Sequence, residues 1–280
     1  MRRLLLAAFL LLPPTAQAVP PETAQAVPLE TAQAVPSETS QAVQSKTARA
    51  SINIAEAPID RLSLPWWRTR WQQTLEQAKA TPNAQIVWLG DSITQNWQRQ
   101  GTLGYDNILP VWNHYYAPYH ALDFGFTGDT TASLIWRLDH GEVAGLHPRL
   151  TIILIGANNL GHVHWGAQMT IPAIESVVAN AHARLPDSHI LLLAMLPSIR
   201  SPWVDAQTAI INAALAQHYA GDPTVTFVNA GSVLMRDGHT DASLFVDPRK
   251  TPPRPALHPD ATGMSRLAAY IEPYVTKYVE

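Results

Sequence analysis

Residues 150–155 read Leu-Thr-Ile-Ile-Leu-Ile and run straight into Gly156-Ala157-Asn158-Asn159. An unbroken run of apolar and β-branched residues, without polar alternation, suits a strand covered on both faces, and hence a parallel strand with helices on either side. The pattern repeats outward from this segment. Residues 85–89, 120–124, 190–196 (ILLLAML) and 224–228 (TVTFV) read as further short strands. Residues 65–80, 130–138, 171–185, 206–219 and 260–278 read as helices between and around them, with another turn and helix after the first strand. Strand–helix alternation with short loops predicts an α/β fold of three layers, α/β/α, around a mostly parallel, doubly wound sheet. Ligands in such sheets sit beyond the carboxyl ends of the strands, so the loops there are where chemistry is expected.

The 280 residues do not all belong to that fold. Arg2 and Arg3 precede an apolar run over residues 4–12, and Ala16-Gln17-Ala18 is a small-x-small site. This predicts a signal peptide over residues 1–18 and export to the periplasm or beyond a bacterial cell. An eight-residue repeat follows from Thr15: TAQAVPPE, TAQAVPLE, TAQAVPSE, TSQAVQSK. Units so short and proline-spaced cannot build a core, so residues 19–56 are expected to be a disordered linker and residues 57–280 the folded domain.

The full chain carries 19 basic and 22 acidic residues, so loss of the two leader arginines leaves 17 against 22. That balance argues against a general nucleic-acid partner, which needs a basic face. No later segment is long and apolar enough for stable membrane insertion. With no cysteine, disulfides, thiolate metal sites and a cysteine nucleophile are excluded. His162-Val163-His164 has a metal-like spacing but no carboxylate or third ligand nearby, so neither a metal nor another cofactor is expected. The sequence carries no signal for the oligomeric state.

Four loops carry groups suited to chemistry. Leu89-Gly90-Asp91-Ser92-Ile93-Thr94 follows the first strand and sets a serine at a helix N-terminus, where N–H groups favour negative charge. Asp123–Thr130 contains Gly125, where a backbone N–H could approach a ligand. Asn158, after the most apolar strand, can donate to an oxyanion. His258, in Leu257-His258-Pro259-Asp260, can act as general base, while Asp260 reads as the N-cap of the last helix. Asp91 and Asp129 read as turn-stabilising groups. Trp97, Trp165 and Trp203 fall near these loops and could stack on sugar rings, although core or rim packing explains them better. Trp66, Trp67 and Trp71 read as a core-facing helix stripe.

Each signal is weak alone, but their order is specific. Gly90-Asp91-Ser92-Ile93-Thr94, Phe124–Thr131, Gly156-Ala157-Asn158-Asn159 and His258-Pro259 together resemble the SGNH (GDSL-type) hydrolase superfamily, from about Gln85 onward. The similarity is to its platelet-activating-factor acetylhydrolase-like and carbohydrate acetylesterase-like branch. The resemblance implies a flavodoxin-like sheet and a serine esterase. Ser92 would be the nucleophile and His258 its base. The backbone N–H groups of Ser92 and Gly125, with the Asn158 amide, would form the oxyanion hole. The expected activity is removal of short acyl groups, acetyl foremost, from O-acylated carbohydrate through an acyl-serine intermediate. A lipid esterase or thioesterase, an acyltransferase, and a weakly active or non-catalytic carbohydrate-binding relative are the alternatives.

One element departs from the family pattern. The family usually carries Asp three residues before the histidine, and that position here is Pro255. Excising residues 248–255 (PRKTPPRP) would put Asp247 before Ala256 and restore D-x-x-H-P. Either Asp247 completes the triad across an eight-residue insertion, or a backbone carbonyl such as that of Pro255 orients His258, or the acid is lost.

Overall fold

The structure is a computed structural model that describes residues 52–247 and 255–280. The leader and repeat readings, and residues 248–254, therefore lie outside the described residues. Chain order is α1 (Pro65–Ala80), β1 (Ile86–Gly90), α2 (Ser92–Gln95), α3 (Leu109–Tyr115), β2 (Leu122–Gly125), α4 (Thr131–Asp139), β3 (Leu150–Leu154), α5 (Ala157–Gly161), α6 (Ala167–Arg184), β4 (His189–Leu193), α7 (Pro202–His218) and β5 (Val225–Val228). Two two-residue hairpins follow, β6 (Met235–Arg236) with β7 (His239–Thr240), and β8 (Phe245–Val246) with β9 (His258–Pro259). The chain closes on α8 (Ala261–Val279).

The five main strands are parallel in the order β2-β1-β3-β4-β5, the doubly wound flavodoxin-like arrangement expected. Alternation along each strand sorts its side chains to two faces. Val87 and Leu89 of β1 join one core with Leu134 of α4, Val177 of α6 and Ile211 of α7. Ile86 and Trp88 join the other with Trp112 of α3 and Met264, Leu267 and Ile271 of α8. Because both faces are covered, the strands are apolar throughout, and this is what the continuous run at 150–155 records.

Some packing differs from the sequence reading. Trp67 and Trp71 pack with Phe126, but Trp66 is 44% exposed, with Arg61 over its ring, so the stripe is two tryptophans wide. Trp97 is buried against Trp88 and Tyr116, which makes it core and not a sugar platform. Residues before Ala57 also pack: Ala55 is fully buried, its carbonyl accepts from Thr131 Oγ1 (2.8 Å), and Asn53 Nδ2 donates to the Met169 carbonyl (2.9 Å). A boundary at Ala57 therefore falls inside the packed chain. Among the described residues, no helix is long and apolar enough to cross a membrane.

Candidate active site

The strand order reverses between β1 and β3, and α2 starts at that switch point with Ser92 as its first residue. Asp91 caps the helix by accepting from the Ile93 N–H at 2.9 Å. Glycine is required before it: a Cβ on Gly90 would lie 2.2 Å from Thr94 Oγ1 and 2.4 Å from the Leu154 carbonyl. Ser92 is thereby held at a strand-to-helix corner, with its N–H in the first turn, where no intrahelical acceptor exists. Asp91 is fully buried, and burial pushes its carboxyl up to about 7 against the opposing pull of the Ile93 N–H.

The acid and base arrive from the other end of the chain. β8 and β9 pair antiparallel, with Val246 opposite His258 and Phe245 opposite Pro259. That register sets Asp247, the residue after β8, beside the first residue of β9. Asp247 Oδ1 lies 2.6 Å from His258 Nδ1, and His258 Nε2 lies 2.9 Å from Ser92 Oγ. With Nδ1–H donating to the carboxylate, Nε2 is left to accept the Ser92 O–H. The Asp247 carboxylate further accepts from the Leu257 N–H (2.7 Å), Arg200 Nη2 (2.8 Å) and Tyr105 O–H (3.2 Å). Of the arrangements left open by the sequence, the geometry is that of the separated acid: the neighbour of Nδ1 is Asp247, not a backbone carbonyl.

The third loop splits its two asparagines. Asn159 turns to α4, accepting from the Thr131 N–H (3.0 Å) and donating to Thr131 Oγ1 (2.7 Å). Asn158 turns to the site, where its Nδ2 donates to the Asp129 carbonyl (2.9 Å) and lies 3.4 Å from Asp91 Oδ2. The sequence expectation for Gly125 does not fit the geometry. Phe126 N–H donates to the Gly90 carbonyl, so residues 124 and 126 face β1. Gly125 then faces away, out of the open edge of β2, where its N–H donates to Asp123 Oδ1 at 2.9 Å. Gly125 is needed for packing, since a Cβ there would meet the Gln95 nitrogen at 2.1 Å.

The glycine that sequence reasoning passed over is Gly128. The turn Phe126–Asp129 closes through the Asp129 N–H to the Phe126 carbonyl (3.1 Å), and Gly128 sits at φ +77°, which favours glycine at the third position of such a turn. Its N–H has no acceptor among the described residues, and the turn abuts Asn158 through the Asp129 carbonyl. The readable signal was Thr127-Gly128-Asp129, a turn tripeptide two residues beyond the strand end. Asp129 does more than stabilise this turn. Its buried carboxylate accepts from Trp67 Nε1 (2.7 Å), Arg137 Nε (2.9 Å) and Arg61 Nη1 (3.1 Å).

Beside the site, beyond the ends of β3 and β4, lies a cavity of about 290 Å³. Ile93, Leu154, Met195, Leu196 and Leu257 give it apolar walls, and Trp203 stands at its edge, 40% exposed. His162 and His164 also line it, the latter with its ring centroid 5.7 Å from that of Trp203. Trp165 is not among its lining residues.

Comparison with known proteins identifies the family. The GDSL-like Lipase/Acylhydrolase family matches residues 88–266, well over half of the chain, and the chain belongs to that family. Bovine platelet-activating factor acetylhydrolase IB subunit alpha1 is 28% identical over 161 residues, which is 57% of this chain and 63% of that protein. The chain thus spans less than two thirds of the curated relative it matches. The rat alpha2 subunit is 32% identical over 117 residues, 42% of this chain and 46% of that protein. A GDSL-like lipase from Bacteroides thetaiotaomicron shares the fold at TM-score 0.55 and 18% identity, covering 74% of this chain and 97% of that one. A carbohydrate acetylesterase family member from Sinorhizobium meliloti does so at TM-score 0.52 and 18% identity, covering 69% and 98%.

Proposed function

We propose that this member of the GDSL-like lipase/acylhydrolase family is an exported serine esterase that removes short acyl groups, acetyl foremost, from O-acylated carbohydrate. The observation that carries the esterase reading is the unbroken chain Ser92 Oγ–His258 Nε2–His258 Nδ1–Asp247, at 2.9 and 2.6 Å. Ser92 Oγ attacks the ester carbonyl as His258 Nε2 takes its proton, and Asp247 stabilises the imidazolium that forms. The carbonyl oxygen becomes an oxyanion received by the Ser92 N–H, the Asn158 amide and the Gly128 N–H, which replaces Gly125 in this role. His258 returns the proton to the leaving alcohol, and water, activated by the same imidazole, hydrolyses the acyl-serine.

The acetyl preference is supported by the acetylhydrolases among the relatives, the sugar by the half-exposed Trp203 and the family of the Sinorhizobium meliloti structure, and export by the leader-like residues 1–18. A second reading is favoured by the cavity. At about 290 Å³ with mostly aliphatic walls, it has room for more than an acetyl methyl, as an esterase of longer acyl chains needs.

A p-nitrophenyl ester series from acetate to octanoate, with wild type and Ser92→Ala, separates the two. The short-acyl reading expects Ser92-dependent turnover that declines from acetate onward, together with acetate release from acetylated glycans. Rising kcat/KM with chain length transfers the assignment to the longer-chain esterase. No Ser92-dependent hydrolysis on any ester or acetylated glycan ends the esterase assignment.

A further inference from the structure

We propose that Arg137 is a positioning residue for the oxyanion hole, acting from behind the three loops that carry its donors. Its side chain is fully buried on α4, and no substrate can reach it. Nη2 donates to the Gly90 carbonyl at 3.1 Å, two residues before Ser92. Nη1 donates to the Phe124 carbonyl at 3.2 Å, at the end of β2, and also to Glu142. Nε donates to Asp129 Oδ2 at 2.9 Å, next to Gly128, and the Asp129 backbone carbonyl in turn accepts from Asn158 Nδ2 at 2.9 Å. The Phe126 ring covers the guanidinium at 4.1 Å.

One planar fork thus ties the loop of Ser92, the loop of Gly128 and, through Asp129, the side chain of Asn158. The Gly90 carbonyl already accepts the Phe126 N–H of the sheet ladder, so the Arg137 bond to it fixes the end of β1 beyond what strand pairing supplies. Donors stabilise an oxyanion only when fixed before charge develops, and a rigid guanidinium presents several N–H groups at fixed angles. Lysine would keep the charge opposite Asp129 and Glu142 but cannot span both carbonyls and the carboxylate. The position therefore asks for the shape of arginine, not only its charge.

This inference rests on the esterase reading, and the test is arranged so that the two fail separately. Wild type and Ser92→Ala establish Ser92-dependent turnover of p-nitrophenyl acetate; its absence removes the reading on which Arg137 depends. Given that turnover, Arg137→Lys is compared with the double variant Arg137→Gln/Glu142→Gln, which removes both charges and leaves no orphaned carboxylate at Glu142. Val275→Ala, on α8, serves as a control for lost stability. Active sites are counted by titration with a fluorophosphonate taken to completion, so that misfolded protein does not count.

The positioning role expects kcat per titrated site to fall roughly 30- to 300-fold in both Arg137 variants, with KM within about threefold of wild type. The Kd of a trifluoromethyl ketone mimicking the tetrahedral intermediate should rise by the same factor as kcat falls. Val275→Ala should lower Tm and leave kcat per site intact. A purely structural role predicts the opposite pattern: fewer titratable sites, each with wild-type kcat and wild-type ketone affinity. That result, or a loss carried entirely by KM, overturns the proposal.

Discussion

The two halves of the site are built in different ways. The proposed oxyanion side grows out of the sheet: Ser92, Gly128 and Asn158 sit two, three and four residues beyond β1, β2 and β3, backed by the buried Arg137, Asp129 and Glu142. The proton-relay side hangs on β8 and β9, a two-residue ribbon whose ends are separated by the proline-rich residues 248–255. Position in the first half is inherited from the parallel register of five strands. In the second it depends on one antiparallel pair and on the groups that grip Asp247. The first half should therefore tolerate no change of length, and the second should tolerate length but not loss of its carboxylate.

The largest expected effect breaks the second half. Asp247→Ala leaves His258 without its orienting acceptor, and kcat on p-nitrophenyl acetate should drop by about 10⁴, as in the serine-protease template. KM should barely move. An unchanged kcat would remove Asp247 from the mechanism and return the backbone-carbonyl alternative.

On the oxyanion side, Asn158→Ala removes one of the three proposed donors, and kcat should fall by roughly 10²–10³, about 2.7–4 kcal/mol of barrier. The comparison is sharpened by the pH profile. Asn158→Ala should retain the wild-type shape, because the Ser92–His258–Asp247 chain is intact, whereas Asp247→Ala should alter it. A profile changed equally by both substitutions would mean that the two halves do not act separately.

The same division explains what could be read from the sequence. The strands are short, apolar and followed by glycine or asparagine turns, so the sheet and the positions of Ser92, Asn158 and His258 were visible as pattern. Gly125 was misjudged because a glycine directly after a strand looks like an open donor. Which way its N–H points depends on the pairing partner, and β2 turned out to be an edge strand. Arg137 was invisible because an arginine on a helix ordinarily faces solvent, and only three-dimensional packing reveals the two carbonyls and two carboxylates around it. Asp247 was visible only as an interrupted motif, because its return to His258 is made by backbone pairing across residues that carry no local signal of closure.

Asp91 offers a test of how dry the oxyanion side is. Burial raises its carboxyl to about 7 in the folded protein, from the ordinary carboxylate range near 4 when unfolded. Between those values the folded state binds the extra proton, so stability falls as pH rises from about 4 to about 7 and levels off above. The slope from this group is on the order of 1.4 kcal/mol per pH unit. Asp91→Asn keeps the cap on Ile93 and removes the titration, so urea unfolding should show the variant gaining on wild type between pH 5 and pH 8. A difference that stays flat across that range would mean that Asp91 is hydrated and already ionised at pH 5.

The smallest expected effect is also the one that most directly breaks the comparison. Excising residues 248–255 joins Asp247 to Ala256 and leaves Asp247, Ala256 and Leu257 between Val246 and His258. Because Val246 pairs with His258, these three residues become the loop of an ordinary hairpin, a length that antiparallel strands accept readily. The Leu257 N–H, which already donates to Asp247 Oδ2 at 2.7 Å, can hold the carboxylate across that loop. Shortening the loop also lowers its closure entropy, by only about 1 kcal/mol on a logarithmic scale. The excised enzyme should keep kcat within about threefold of wild type, with Tm unchanged or slightly raised. A loss approaching that of Asp247→Ala would show that the separated segment itself aims the acid, and that the ribbon register alone is not enough.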